Sequence, residues 1–550
     1  MQLNLSCIRK ALIFVILLCT ILLQALPVFA TGNNETPESG AKDSGLLKAG
    51  DDYTLPIVKE KITLSYAGQD SFAAQYSLND NREIWQEFEK RTNIKIEWQC
   101  VGPAKDYRQS VQLRTAAGVD MPDMLHTLGL NVVKLHNDGL TIKTTELIDK
   151  YAPNIKKYIK ANKNIRAVMI ASDNQMYAAM CEVKKHNENT NVQKLYYRDD
   201  WRKQLGFKEP ETIEDYFEIM KAFKTKDPNG NGKADEVPIG VPRVGSFGTL
   251  GTAYDIMGTW QVDKNGKVMY NAIRPEFKEF MAMLHKMYKA GVLPKSVIIK
   301  NNQINQAVAT NRAGMYNQGL GKCAANDLLL SKAGVDLKLG GYNFAPPPIN
   351  KYTGKRAYIP PNYVHDRFIA ITKKCKYPEV AIRWVDYVLA SEEGQILTNY
   401  GIEGKSYTIG KDGKPQFTDW VLNNPDGLDI QVALRSLGSL APMLNYYRAD
   451  AFHNQFIKNE KLYNIPKRAK KYFSLENDLP QVLATVEEAE DFNQINSDVN
   501  TYKEEMELKF ILGDTPLDKF PEFIENMQKL GIEKLTQIQQ NKYDRLQKMD

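Results

Sequence analysis

Cysteine is scarce and scattered. Six occur in 550 residues, and the four beyond the first thirty positions, Cys100, Cys181, Cys323 and Cys375, stand far apart with no C-x-x-C pair. That spacing excludes a disulfide scaffold and a Cys-rich zinc site. Buried thiols are expected, with one long-range disulfide open to an exported protein. A strong charge of either sign is also missing. The formal net charge is +6, and subtracting Arg9 and Lys10 leaves +4, too little to argue for nucleic acid. Catalytic signatures are absent as well. There is no H-E-x-x-H and no G-x-S-x-G, and Gly404-Lys405-Ser406 fails as a phosphate loop because Asn399 stands where the first glycine belongs. Two carboxylates in a cleft would suffice for a glycosidase, so a secreted glycoside hydrolase or polysaccharide lyase stays open as the alternative reading. Beyond residue 30 no run is long and apolar enough to span a membrane.

The first thirty residues do hold such a run. Arg9 and Lys10 precede an apolar core, Ala11 to Leu23, and Val28-Phe29-Ala30 is a small-x-small site. This pattern predicts a signal peptide over 1–30, cleaved after Ala30. An uncleaved anchor is the alternative, and Cys19 raises a lipoprotein, although Leu18 stands where a lipoprotein signal wants a small residue. Residues 31–57 read as a flexible spacer, polar and with almost no apolar face over 31–52. The protein is therefore expected outside the cell, free or tethered at its front end. With 43% hydrophobic and 25% charged residues, the rest has an ordinary globular balance.

The most informative stretch is Lys226 to Pro238, KDPNGNGKADEVP. Asp227, Asn229, Asn231 and Asp235 carry side-chain oxygens at alternating positions, with Gly230 and Gly232 allowing tight bends. Such an array suits Ca²⁺, which takes about six to eight oxygens. The carbonyl of Lys233 and the carboxylate of Glu236 complete a candidate shell. Pro238 occupies the twelfth position, where an EF-hand places a bidentate Glu. A solvated Asn/Gly turn without an ion is the plain alternative. Thr212 and Asp215 predict a capping box, and Ile213, Tyr216, Phe217, Met220 and Phe223 one apolar helical face. The loop would thus clamp a helix to a following strand, a structural role rather than a catalytic one.

Elsewhere the pattern is α/β. Lys61 to Tyr66 and Ile94 to Trp98 read as strands around a helix face of Ile84, Trp85 and Phe88, a parallel unit. Further strands are expected at 176–179, 195–197 and 313–318, and strong helices at 275–290 and 378–391. From Asp478 onward the chain reads as nearly all helix.

Several stretches, in order, resemble the family 1 extracellular solute-binding proteins of bacterial carbohydrate ABC importers. Large Gram-positive members and alginate-binding members are the most similar. The stretches are Gly118 to Asp123, Leu147 to Asn154, Arg198 to Trp201, Asp227 to Pro238, Ala390 to Gly394, Tyr400 to Gly404, Phe510 to Gly513, Leu530 to Ile532 and Tyr543 to Arg545. The resemblance implies a type II periplasmic-binding-protein-like fold, α/β, with two lobes, hinge strands and a helical C-terminal region. The lobes are expected at 58–175 plus 305–368 and at 176–304 plus 369–550. It implies a monomer that holds an oligosaccharide between lobes, docks to ABC permease subunits and does no chemistry. It also implies Ca²⁺ on Asp227, Asn229, Asn231, Lys233, Asp235 and Glu236.

Ligands in open α/β sheets gather beyond the carboxyl ends of strands. That rule nominates Tyr66, Gln69, His126, Thr127, Asn317 and Gln318. Of six tryptophans, Trp85 and Trp384 read as core. Trp260 and Trp420 fall outside clear apolar periodicity, which makes them candidates for stacking on a sugar or for ordinary packing. Glu403 is a candidate hydroxyl acceptor or a turn residue.

Overall fold

The structure is a computed structural model that describes residues 47, 54–70, 74–180, 194–337, 340–359, 367–440, 455 and 460–549. The expected signal peptide and Cys181 lie outside them. In chain order the strands are β1 (Ile62–Gln69), β2 (Ile94–Val101), β3 (Met124–His126), β4 (Ala179–Met180), β5 (Lys194–Arg198), β6 (Val237–Gly240), β7 (Trp260–Val262), β8 (Val268–Tyr270), β9 (Ala313–Gln318), β10 (Tyr342–Phe344), β11 (Phe368–Ile371), β12 (Tyr407–Ile409) and β13 (Pro415–Phe417). They form two main sheets, ordered β2-β1-β3-β11-β4 and β10-β5-β9-β6, plus hairpins β7–β8 and β12–β13. In the first sheet β1, β2 and β3 are parallel, and β11 runs antiparallel to both neighbours.

Each sheet has its own core, which defines two lobes. The first core gathers Ile84, Trp85, Phe88, Leu125 and Ile369 with the helix Pro378–Ala390, whose Trp384 is 0% exposed. Trp85 lies against Trp98 and near Trp384, as expected of core residues. Asp386, fully buried on that helix, accepts from Ile155 N (2.6 Å) and Asn154 Nδ2 (2.9 Å). It thereby supplies donors at the start of helix Pro153–Ala161 with a charged acceptor. The second core joins Tyr197, Trp201, the helices Ile213–Thr225 and Pro275–Lys289, and the C-terminal helices Val486–Leu512, Phe520–Lys529 and Ile532–Gln547. A third cluster, with Tyr196, Tyr316, Tyr342 and Ile465, lies on the same sheet.

Strand pairing corrects the expected lobe boundaries. β9 pairs with β5 and β6, and β10 with β5, so 313–344 belongs to the second lobe. β11 pairs with β3 and β4, and residues from Phe368 to Leu437 enter the first core. The chain crosses between lobes after β4, after β10 and again between Leu437 and Ile465. Crossing strands satisfy their backbone on whichever sheet has an open edge, and local periodicity does not encode that choice. The spacer also ends sooner than residue 57: Ile57 is buried and Leu47 packs on the first core, because apolar side chains there find a surface to cover. Among the described residues no disulfide joins Cys100, Cys323 and Cys375, and no helix is long and apolar enough to cross a membrane.

Candidate functional site: an inter-lobe cavity and an Asx loop

A cavity of about 720 Å³ opens where the two lobes and the C-terminal region meet. The first lobe contributes Leu130 and Asn131 after β3, Val168, and Phe368 at the start of β11. The second contributes Lys194 of β5, the loop from Arg243 to Thr252, Trp260 of β7, Asn317 of β9, and Tyr358. The strap Asp478–Ala484 and the start of the helix after it close another side. This strap, together with Asn477 just before it, bonds to both lobes. Val262 N donates to Asn477 O at 3.2 Å in the second lobe, and Leu483 N donates to Ala167 O at 2.8 Å in the first. Asn131 caps its own helix, accepting from Val133 N and Lys134 N, and donates through Nδ2 to Ala484 O at 3.1 Å.

The strap ends at a capping box, Thr485 with Glu488. Glu488 also holds Arg545 of the last helix through two bonds of 2.6 Å each, a bidentate pair whose geometry resists rotation. Asp478 in the cavity wall has its carboxyl pushed up to about 6 by burial. Asn317 donates to Ser246 O at 2.8 Å, tying the Arg243–Thr252 loop to the end of β9. A smaller recess of about 450 Å³ adjoins the cavity and shares Arg243, Ser246 and Asn317 with it. The lining thus combines aromatic faces (Trp260, Tyr358, Phe492) with planar amides (Asn131, Asn317, Asn493). Such a lining offers apolar area and directed hydrogen bonds together.

The structure brings some nominated residues to this cavity and not others. Trp260 and Asn317 line it, and Gln318 lines the recess. Tyr66 and Gln69 are buried in β1, Tyr66 at an edge-on 5.4 Å from Trp98. His126 is fully buried. Its Nδ1 accepts from Leu128 N, and burial, aided by Arg367, holds its pKa down at about 3. Thr127 is fully buried and bonds the first strand residue of β11, Phe368, through backbone and hydroxyl. These last two brace the crossing strand and leave the lining to Leu130 and Asn131, a few positions further along. Glu403 lies on an exposed turn, and Trp420 packs on a satellite cluster with Tyr400 and Phe417, under Lys405 at 5.2 Å. Neither lines the cavity.

The Asx loop follows helix Ile213–Thr225, whose predicted capping box forms between Thr212 and Asp215. Asp227, Gly230 and Gly232 adopt positive φ of 45°, 69° and 73°, which curls the backbone. Asp227 accepts from Asn231 N (3.1 Å) and Gly232 N (2.8 Å), Asn229 from Asn231 N (3.0 Å), and Asn231 from Lys233 N (2.8 Å). Asn231 Nδ2 donates to Asp235 at 3.1 Å. Glu236 is 3% exposed, and both carboxylate oxygens are buried with no hydrogen-bond partner from any other residue. Its pKa is raised by burial and then by repulsion from Asp227 and Asp235. Among the described residues no group of three His, Cys, Asp or Glu side chains is gathered as a metal site. The loop's candidate donors include amide and backbone oxygens as well as carboxylates.

Two lobes crossed three times by the chain, with a polar-aromatic cavity at their junction, define the class of bilobed binding proteins. The chain belongs to the bacterial extracellular solute-binding protein family, whose profile matches residues 83–404. The family is one of solute binders and not of enzymes. Among its relatives, the fructooligosaccharide ABC transporter substrate-binding protein FusA of Streptococcus pneumoniae is 26% identical over 524 residues, 90% of this chain and 92% of FusA. The alginate-binding protein AlgQ2, solved without calcium ion, superposes with a TM-score of 0.69 at 23% identity, over 88% of this chain and 99% of AlgQ2. A FusA EF-hand mutant in complex with fructo-nystose superposes with a TM-score of 0.69 at 21% identity, over 89% of this chain and 100% of FusA. These likenesses show the type II periplasmic-binding-protein-like fold.

Proposed function

We propose that this protein captures an oligosaccharide in the inter-lobe cavity outside the cell and delivers it to the permease subunits of an ABC importer. The observation that carries the reading is the cavity lining, where the partly exposed Trp260 ring stands among amide side chains drawn from both lobes. A sugar needs flat apolar contact for its C–H face and planar polar groups for its hydroxyls. The relatives' named ligands agree with that chemistry. A ligand touching both lobes favours whichever arrangement brings them together. The closed form, acting as a monomer, would then present one surface to the permease. The protein works at the outer face of the cell, exported by its N-terminal segment and free or tethered there.

Ca²⁺ fits the Asx loop. Asp227, Asn229, Asn231, Asp235 and Glu236 side chains and the Lys233 carbonyl would hold it, and the unpaired, buried Glu236 carboxylate is the strongest sign that a cation belongs there. The ion would neutralise the acidic cluster and fix the end of helix Ile213–Thr225 to β6. A thermal-shift screen across neutral and acidic oligosaccharides tests the function. The expected result is a saturable rise in melting temperature with one of them and no new reducing ends. Appearance of new reducing ends would instead support the hydrolase reading.

A further inference from the structure

Lys194 is a cavity residue whose presence a neutral sugar leaves unexplained. It begins β5, is 7% exposed, and lines the inter-lobe cavity. Among the described residues no ion pair or hydrogen bond satisfies its ammonium. Its neighbours are aromatic: Nζ stands 3.0 Å from the centre of the Tyr358 ring and 6.0 Å from that of Phe473. A ring face offsets part of the desolvation of a cation but supplies no counter-charge. Burying an uncompensated ammonium is costly, and a lysine kept in a wall for packing alone would be better replaced by an apolar residue of similar volume.

The surrounding charges point the same way. Arg243, in the wall shared by cavity and recess, and Lys322 in the recess have no ion-pair partner among the described residues. Of the acids in the lining, Glu488 is taken by Arg545. Asp478, its carboxyl raised to about 6 by burial, forms no ion pair or hydrogen bond with Lys194 among the described residues. Among the described residues, cavity and recess thus hold three cations without an ion-pair partner, Lys194, Arg243 and Lys322, against one such carboxylate, Asp478.

We propose that the sugar held in this cavity carries a carboxylate, and that Lys194 is its counter-ion. The inference rests on the carbohydrate reading above and narrows it to an acidic saccharide, with a hexuronate and a sialic acid as the two sources of the group. A charge-assisted hydrogen bond formed away from water is worth about 1.5–3 kcal/mol. That corresponds to a preference of about tenfold or more for the free acid over its methyl ester.

The experiment titrates the calcium-loaded protein by calorimetry with trigalacturonate, with 3′-sialyllactose, with the methyl ester of each, and with kestose. Tighter binding of one free acid than of its ester, by tenfold or more, is the expected result, and which acid shows it identifies the source. Lys194→Met should collapse that ratio toward one. Equal affinity for acid and ester, or binding of kestose alone, would overturn the proposal while leaving the carbohydrate reading standing. So would a ratio that survives in Lys194→Met. Should the variant not fold, the acid-to-ester ratio of the wild-type protein still decides the matter. Absence of binding to every saccharide in a broad oligosaccharide panel would instead remove the reading beneath it.

Discussion

Chelation of calcium with EGTA lowers the melting temperature of the lobe carrying the Asx loop by roughly 5–10 °C. The effect centres on Glu236. Its carboxylate is buried with both oxygens unpartnered, and it faces the charges of Asp227 and Asp235. Without a metal that carboxylate is a source of instability, and a bound divalent cation would turn it into a ligand. An ion present at a hundred times its dissociation constant stabilises the folded state by about 2.7 kcal/mol. In a domain of 150–250 residues each kcal/mol moves the midpoint by about 2–4 °C. Glu236→Gln removes both the repulsion and the ligand. The metal-free variant should melt no lower than the metal-free wild type, and calcium should raise its midpoint much less. Identical melting curves for the wild type with and without calcium would refute the assignment.

Trp260→Ala weakens binding of the preferred oligosaccharide by about thirtyfold or more and leaves the fold in place. Trp260 is partly exposed, lines the cavity and leans on Tyr270 at 4.7 Å, so its ring is held without being enclosed. Aromatic anchors of this kind typically cost about 2 kcal/mol or more on truncation. Two other tryptophans serve as controls. Trp420→Ala should leave affinity unchanged, because Trp420 covers a satellite cluster away from the cavity. Trp384 is 0% exposed in the first core, and its loss should cost about 3–5 kcal/mol of stability. Calorimetry and thermal melts of the three variants separate these roles. Equal affinity in Trp260→Ala and the wild type would remove Trp260 from the site.

Much of the local structure was legible. AGMYNQ is β9 from its first residue to its last, and Thr212 with Asp215 closes the capping box its spacing predicts. Trp85 and Trp384 lie where an apolar helical face puts them. What periodicity does not carry is which sheet accepts a crossing strand. The first lobe therefore takes back residues from Ile369 to Leu437 that a simple division assigns to the second. The cavity was legible only at Trp260 and Asn317, and its recess at Gln318. Its other walls come from Asn131, Lys194, Arg243 and Asp478, residues far apart in the chain that the strap and crossings bring together. Lys194 left one trace, a charged residue opening a strand, KLYYR, whose middle three residues are core-like. Tyr66, Gln69, His126 and Thr127 obey the strand-end rule, but their side chains turn into the body of the lobe. Glu403 sits in a glycine-bounded turn that resembles a binding loop in sequence and is an exposed corner in space.

The central claim is that two lobes close over a saccharide held at their junction. Small-angle X-ray scattering of the calcium-loaded protein tests it most directly, without ligand and then saturated with the oligosaccharide that gives the largest thermal shift. A smaller radius of gyration in the saturated protein is the predicted result. An unchanged radius, with binding confirmed by calorimetry in the same sample, would contradict it.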